Sequence, residues 1–114
     1  MSQYLVLIYE DEAEYATGGP ELWGEVGAEH TKFWENNTKA VAGGNALQPT
    51  GTATSIRPGV DGPVVTDGPF AETKEALGGY YLIEAADLDE AIAVAKQVPA
   101  RFGGVEVRPI MVMG

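Results

Sequence analysis

Two stretches of this chain have apolar residues at helical spacing, and the stretches that surround them favour β-strands. The first strand is predicted at Gln3–Tyr9, a nearly continuous apolar run typical of a central strand, and the last at Val105–Val112. Between them lie a helix, a group of strands and a second helix. This β-α-strands-α-β order predicts an α+β, ferredoxin-like (split βαβ) fold, with an antiparallel sheet and both helices on one face.

The two predicted helices carry different end signals. The first spans Glu21 to about Val41, with a start nearer Ala28 as the alternative because Gly24 and Gly27 weaken the first turns. Gly43-Gly44 after it is expected to supply a left-handed cap. The second begins after Asp87, which forms a capping box with Glu90: the aspartate accepts from the amide three residues on, and the glutamate reaches back.

The segment between the helices is predicted to contain a hairpin and a further strand. Ala46–Arg57 and Pro63–Thr66 are the two arms of the hairpin, and Gly78–Ala85 is the next strand. The triplet Asp-Gly-Pro occurs twice, at Asp61–Pro63 and Asp67–Pro69. The first copy is the connection of the hairpin. The second follows the hairpin, where no tight return is required.

Composition bounds the class of protein. The 114 residues suit a single domain over 1–114. With no cysteine and one histidine, neither a sulfur-based nor an ordinary histidine-based metal site is expected, and no motif indicates a cofactor. The net charge of −10 argues against nucleic acid. No apolar run is long enough for a membrane span and the amino terminus lacks a basic region, so a cytoplasmic protein is expected.

Helices on one face would leave the other face of the sheet uncovered. The predicted strands are rich in Tyr, Val, Ile and Met, which are too apolar for a face in water. A homodimer that packs sheet against sheet is the simplest way to cover it, because most soluble oligomers close by a two-fold axis.

His30 and Asp67 are the candidate catalytic residues. His30 lies four residues from both Val26 and Trp34, beside the apolar face of its helix. It is either a packed histidine bonded to a backbone carbonyl or a general acid/base with a pKa near neutral. Asp67 could fix its tautomer, although an aspartate before glycine often only bonds its own turn.

Other polar and aromatic residues are candidate ligand contacts. Glu106 and Arg108 alternate on the last strand, so they point to one face as an ion pair or a polar pocket floor. Arg57 and Arg108 could each hold a carboxylate ligand. Phe70 follows the second Asp-Gly-Pro, and Tyr81 is one of two neighbouring tyrosines that point to opposite faces. The ligand expected from this set is a small anionic or phenolic molecule.

Longer motifs resemble those of a known family. They are the opening QYLVLIYEDE, the run DGPF followed by AETKE and GGYYLIEA, and the closing EVRPIMV. Together they make the chain, over nearly its whole length, resemble the YCII-related family in its DGPF-domain branch. The resemblance implies a ferredoxin-like subunit that pairs into a dimeric α+β barrel.

The same resemblance implies candidate functions. Related members look like enzymes with a His–Asp pair, including a dehydrochlorinase, and the family histidine and the motif aspartate map onto His30 and Asp67. The other YCII branch has an Asp-Pro after the second helix, where this chain reads Gln97-Val98-Pro99. Any His–Asp pair would therefore need Asp67. The resemblance also implies an alternative, a non-catalytic regulatory module associated with an extracytoplasmic-function sigma factor.

Overall fold

The computed structural model describes residues 1–113 and contains six strands and three α-helices within that range. Their bounds in chain order are β1 (Ser2–Asp11), α1 (Glu12–Ala16), α2 (Gly19–Asn36), β2 (Val41–Ala46), β3 (Thr54–Arg57), β4 (Val64–Asp67), β5 (Glu75–Ala85), α3 (Leu88–Ala95) and β6 (Gly103–Pro109).

Four strands form the main sheet, in the order β2-β5-β1-β6, and every neighbouring pair is antiparallel. Strands β3 and β4 form a separate antiparallel pair between β2 and β5. Without that insertion the order is that of a ferredoxin-like sheet. The predicted α+β, ferredoxin-like fold is confirmed.

The core lies between one face of this sheet and the helices. Alternate residues of β1 and β5 point to this face and are buried, as are apolar residues of α2 and α3. The largest contributors are Tyr4, Val6, Ile8, Phe33, Tyr81, Ile83 and Val94. Among the described residues, no helix combines the length and apolar composition needed to cross a membrane.

No element of the described chain covers the opposite face. The intervening residues of β1 and β5, including Leu5, Leu7 and Leu82, are only half-buried there. The register places Leu5 opposite Arg108 and Leu7 opposite Glu106, so all of these side chains share one face. We call it the open sheet face.

The bounds of the first helical region differ from the prediction. The helix runs from Gly19 to Asn36, so the predicted end at Val41 is wrong, since Val41 begins β2. A short helix, α1, that was not predicted precedes it. Gly43-Gly44 is not a helix cap, because both glycines lie in β2. The physical reason is packing: a Cβ on Gly44 would lie 2.6 Å from the ring of Tyr81. Glycine is needed there for close approach of two strands.

The second helix and the presence of a hairpin agree with the prediction. The predicted first arm, Ala46–Arg57, is wrong in extent: Ala46 lies in β2, Thr50–Thr52 form a 3-10 turn and only Thr54–Arg57 is strand. Asp87 caps α3 by accepting from the amide of Glu90 at 2.9 Å. Both Asp-Gly-Pro triplets bend the chain, since Gly62 has a φ of 112° and Gly68 a φ of 103°. The second triplet therefore bends the chain sharply although it does not connect two paired strands. Strand β6 ends at Pro109, three residues before the predicted end.

Candidate functional site

A cavity of about 880 Å³ opens between the main sheet and helices α1 and α2. Five residues with aromatic rings of the Tyr or Trp type line it: Tyr15, Trp23, Trp34, Tyr80 and Tyr81. Three ionisable residues of other types share the lining: Glu10, Glu12 and His30. Trp23 is 57% exposed and Trp34 41% exposed, which is high for tryptophan, and both face this cavity. A concave, largely aromatic space with a few polar groups is typical of a small-molecule site.

His30 is held by a tyrosine rather than by a backbone carbonyl. Its Nδ1 lies 2.7 Å from the hydroxyl oxygen of Tyr81. The other ring nitrogen, Nε2, has no hydrogen-bond partner among the described residues, and the half-buried side chain lines the cavity. One nitrogen is therefore fixed and the other is available to a ligand.

Burial lowers the pKa of His30 below its ordinary value of 6.5, although the nearby charges of Glu10 and Glu29 act in the opposite direction. The imidazole is consequently neutral at pH 7. A neutral ring whose Nδ1–H donates to Tyr81 presents Nε2 as an acceptor, and the other tautomer presents Nε2–H as a donor. The tyrosine hydroxyl can both donate and accept, so it is compatible with either form.

Tyr81 is fixed by packing. It is buried on β5, with its ring centroid 4.8 Å from that of Phe33 and 5.9 Å from that of Trp34. Gly44 of the neighbouring strand leaves room for the ring. Burial raises the pKa of Tyr81, so its hydroxyl keeps its proton at neutral pH.

Glu10 is a buried carboxylate at the end of β1 that faces the cavity. It is 9% exposed. Its Oε2 accepts from the hydroxyl of Tyr15 at 2.8 Å and from the amide of Phe102 at 3.2 Å. Burial together with this carboxylate raises the pKa of Tyr15. These two bonds hold the carboxylate in one position.

Glu12 is the second carboxylate of the lining, and both of its oxygens are engaged. Its Oε1 accepts from the amide of Thr50 and its Oε2 from the hydroxyl of the same residue, each at 2.7 Å. Glu12 therefore ties α1 to the segment that leads into the hairpin. Its role is structural.

The predicted residues of the hairpin lie outside this cavity. Asp67 ends β4, is exposed and pairs with Thr54 across the hairpin. Among the described residues no hydrogen bond joins it to His30. Arg57 stacks its guanidinium over the ring of Phe70, with 4.0 Å between the two. The stack is an exposed cation–π contact within the hairpin region.

Glu106 and Arg108 lie on the open sheet face and bind each other. The Nε of Arg108 donates to Glu106 at 2.8 Å. Of the two interpretations of this pair, the ion pair is confirmed; neither residue is among those that line the cavity. Of the seven predicted site residues, only His30 and Tyr81 line the cavity.

Sequence reasoning missed Glu10 of the cavity, although a signal for it was present. Tyr4, Val6 and Ile8 alternate on the buried face of β1, and the next residue in this period is Glu10. A carboxylate at a buried position of a strand indicates a partner or a site. The contribution of Trp23 depends on how α2 lies on the sheet, which residue spacing does not predict.

Comparison with known proteins agrees with this architecture. The family model of the YCII-related domain matches residues 2–114. An uncharacterized protein of Rhizobium meliloti (strain 1021) is 36% identical over 114 residues, an alignment that covers 94% of this chain and 90% of that protein. The chain therefore belongs to the YCII-related family.

Proposed function

We propose that the protein binds a small aromatic molecule, such as a phenol, in the cavity and that His30 exchanges a proton with it. The observation that carries this proposal is the geometry of His30, whose Nδ1 is held by Tyr81 while Nε2 lacks a partner in an aromatic cavity. Trp23 and Trp34 both line the cavity and supply large apolar surfaces for an aromatic ring.

The proton transfer needs no other reactant. The phenolic O–H donates to Nε2, and transfer of its proton yields an imidazolium and a phenolate. A lowered pKa keeps His30 neutral and able to accept this proton. The same ring can return the proton to the ligand in a later step, so lyase-type chemistry is compatible with the site.

Binding is tested with phenol and with 4-nitrophenol. Because His30 is the only histidine of the chain, its ring ¹⁵N signals in an NMR spectrum are assigned without ambiguity. Saturating ligand should shift the Nε2 signal more than the Nδ1 signal. His30→Gln should weaken binding about tenfold, the scale of one hydrogen bond of about 1.4 kcal/mol. Unchanged ring signals at saturation would contradict the proposal.

A role for Asp67 as the acid that orients His30, and for Arg57 and Arg108 as anion-holding groups, stays a prediction. The lining of the cavity contains two carboxylates and neither lysine nor arginine among the described residues, which favours a phenolic over an anionic ligand. Asp67→Asn tests the acid role. It should alter the His30 signals if the role is real, and it should leave them unchanged if Tyr81 alone positions the ring.

We also propose that the protein forms a homodimer through the open sheet face. Leu5, Leu7 and Leu82 are half-exposed there. The Glu106–Arg108 pair is neutral as a unit, and Glu84 is a further acidic side chain at the Gln3 end of this face. The regulatory role implied for DGPF proteins also stays a prediction.

A further inference from the structure

One oxygen of the Glu10 carboxylate has no hydrogen-bond partner among the described residues. Both hydrogen bonds to Glu10, from Tyr15 and from Phe102, end on Oε2. The other oxygen, Oε1, accepts no hydrogen bond from the described residues. Every fully buried side-chain oxygen among the described residues has a hydrogen-bond partner. Since Oε1 of Glu10 has none, it must be at least partly accessible.

The accessible space beside this oxygen is the cavity. Glu10 points to the face of the sheet that the helices cover, and it lines the cavity together with His30. A carboxylate oxygen without a partner at a position that is nine-tenths buried is costly unless something donates to it. Because this oxygen is accessible, either water or a group of a bound ligand can be that donor.

The rest of the lining favours the same kind of group. Trp23, Trp34 and Tyr81 present aromatic rings, whose faces attract a cation. Among the described lining residues there is no lysine or arginine to neutralise an anion. An aromatic molecule that carries a hydroxyl or a protonated amine can donate to Oε1, whereas a carboxylate would face Glu10 with like charge.

We propose that Glu10 is a specificity-determining residue: its Oε1 accepts a hydrogen bond from an aromatic ligand that is neutral or cationic, and its charge rejects aromatic carboxylates. This inference rests on the proposed function of the same cavity. It adds a second point of contact, so that the ligand is held between Nε2 of His30 and Oε1 of Glu10.

Three compounds with the same skeleton test the charge preference: benzylammonium, benzyl alcohol and benzoate. Wild-type protein should bind benzylammonium and benzyl alcohol and should bind benzoate at least tenfold more weakly than benzylammonium. Glu10→Gln keeps an oxygen for Tyr15 and Phe102 but removes the charge. It should lower the affinity for benzylammonium about tenfold, since hydrogen bonds to charged groups are the stronger class. The affinity for benzoate should rise.

Glu12→Gln is the matched control. It removes one negative charge from the same lining, but both oxygens of Glu12 are already engaged by Thr50. It should change the ratio of benzylammonium to benzoate affinity less than threefold. A circular dichroism spectrum and a melting curve for each variant check that the fold is retained.

The outcomes separate the two proposals. If phenol or benzyl alcohol shifts the His30 signals but Glu10→Gln leaves the benzylammonium-to-benzoate ratio unchanged, the specificity role is wrong and the proposed function stands. An equal effect of Glu12→Gln would also overturn the specificity role, because the preference would then reflect total charge alone. If no aromatic probe binds the wild-type protein, both proposals fail.

Discussion

At the scale of single residues, the contact between His30 and Tyr81 is the basis of the proposed proton exchange. A histidine near the apolar face of a helix is commonly a buried structural residue. Here the ring has a side-chain partner at 2.7 Å on one nitrogen and a cavity beside the other. Because Tyr81 is packed by Phe33 and Trp34, the imidazole is oriented before any ligand arrives, which lowers the entropic cost of binding.

The pKa of His30 predicts a pH-dependent stability. The folded protein has a His30 pKa below 6.5 because burial disfavours the charged ring, whereas the unfolded chain has the ordinary value. Below pH 6.5 the unfolded state binds more protons, so the free energy of unfolding falls as the pH falls toward the folded pKa. Above pH 6.5 the contribution of His30 to the free energy of unfolding is fully retained.

The measurement is urea unfolding of wild type and His30→Gln between pH 4.5 and 7.5, a range chosen about the ordinary histidine pKa. The wild-type protein should lose more stability than the variant between pH 6.5 and the folded pKa. An NMR titration of the single imidazole gives that pKa directly. A measured value of 6.5 or higher would contradict the assignment of burial as the dominant cause.

At the scale of elements, Gly44 in β2 determines how closely the edge strand approaches β5. A Cβ at this position would lie 2.6 Å from the ring of Tyr81 and 2.7 Å from the carbonyl oxygen of Tyr80. The carbonyl belongs to the backbone and cannot move independently of its strand. A methyl group would therefore displace β2 or the ring that holds His30.

Gly44→Ala should lower the free energy of unfolding by about 1–3 kcal/mol, the usual cost of overpacking. It should also broaden or shift the His30 ring signals. Gly43→Ala is the control, because a Cβ on Gly43 has no neighbour within 4 Å. Urea unfolding of both variants checks the difference, and equal stability of the two would show that the strands relax without cost.

The cap of α3 gives an independent prediction for this element. The side chain of Asp87 accepts from the amide of Glu90, and α3 buries Ala91, Val94 and Ala95 against the sheet. Asp87→Ala should lower the free energy of unfolding by about 1 kcal/mol. Asp89→Ala removes a charge from the same helical turn without removing the cap, and it should cost less. Chemical unfolding at pH 7 distinguishes the two.

The elements show which parts of the structure a sequence can predict. Local signals were sufficient for β1, which is a nearly continuous apolar run, and for α3, where Asp87 caps the helix. They failed for Gly43-Gly44, because a pair of glycines can either cap a helix or lie in a strand that packs against an aromatic ring, and the sequence does not distinguish the two. That distinction depends on Tyr81, which is distant in sequence. A pocket was expected, but apart from His30 and Tyr81 its lining was missed for a similar reason, since it comes from five elements.

At the scale of the whole molecule, the shape is unusually extended for a chain of this length. The radius of gyration is 16.1 Å, whereas a compact domain of about this size has about 13 Å. The β3–β4 hairpin contributes to this, because it forms no part of the main sheet. It exposes several apolar side chains: Ile56, Val60, Val64, Val65 and Phe70. A two-stranded hairpin is marginal in water alone, and an exposed apolar patch of this kind is compatible with the proposed homodimer.

The open sheet face provides the test of the proposed dimer. Leu7→Lys places an ammonium opposite Glu106, where the single protomer tolerates it as a cross-strand ion pair. In a dimer the same side chain would be buried between two sheets, and the cost of burying it should shift the population to monomers. Sedimentation velocity should therefore give a dimer for the wild type and a monomer for the variant. Leu88→Lys is the control, because Leu88 is exposed at the start of α3, away from the open sheet face. A monomeric wild type would mean that this face is not the interface. The same conclusion would follow if Leu7→Lys and Leu88→Lys sedimented as the same oligomer.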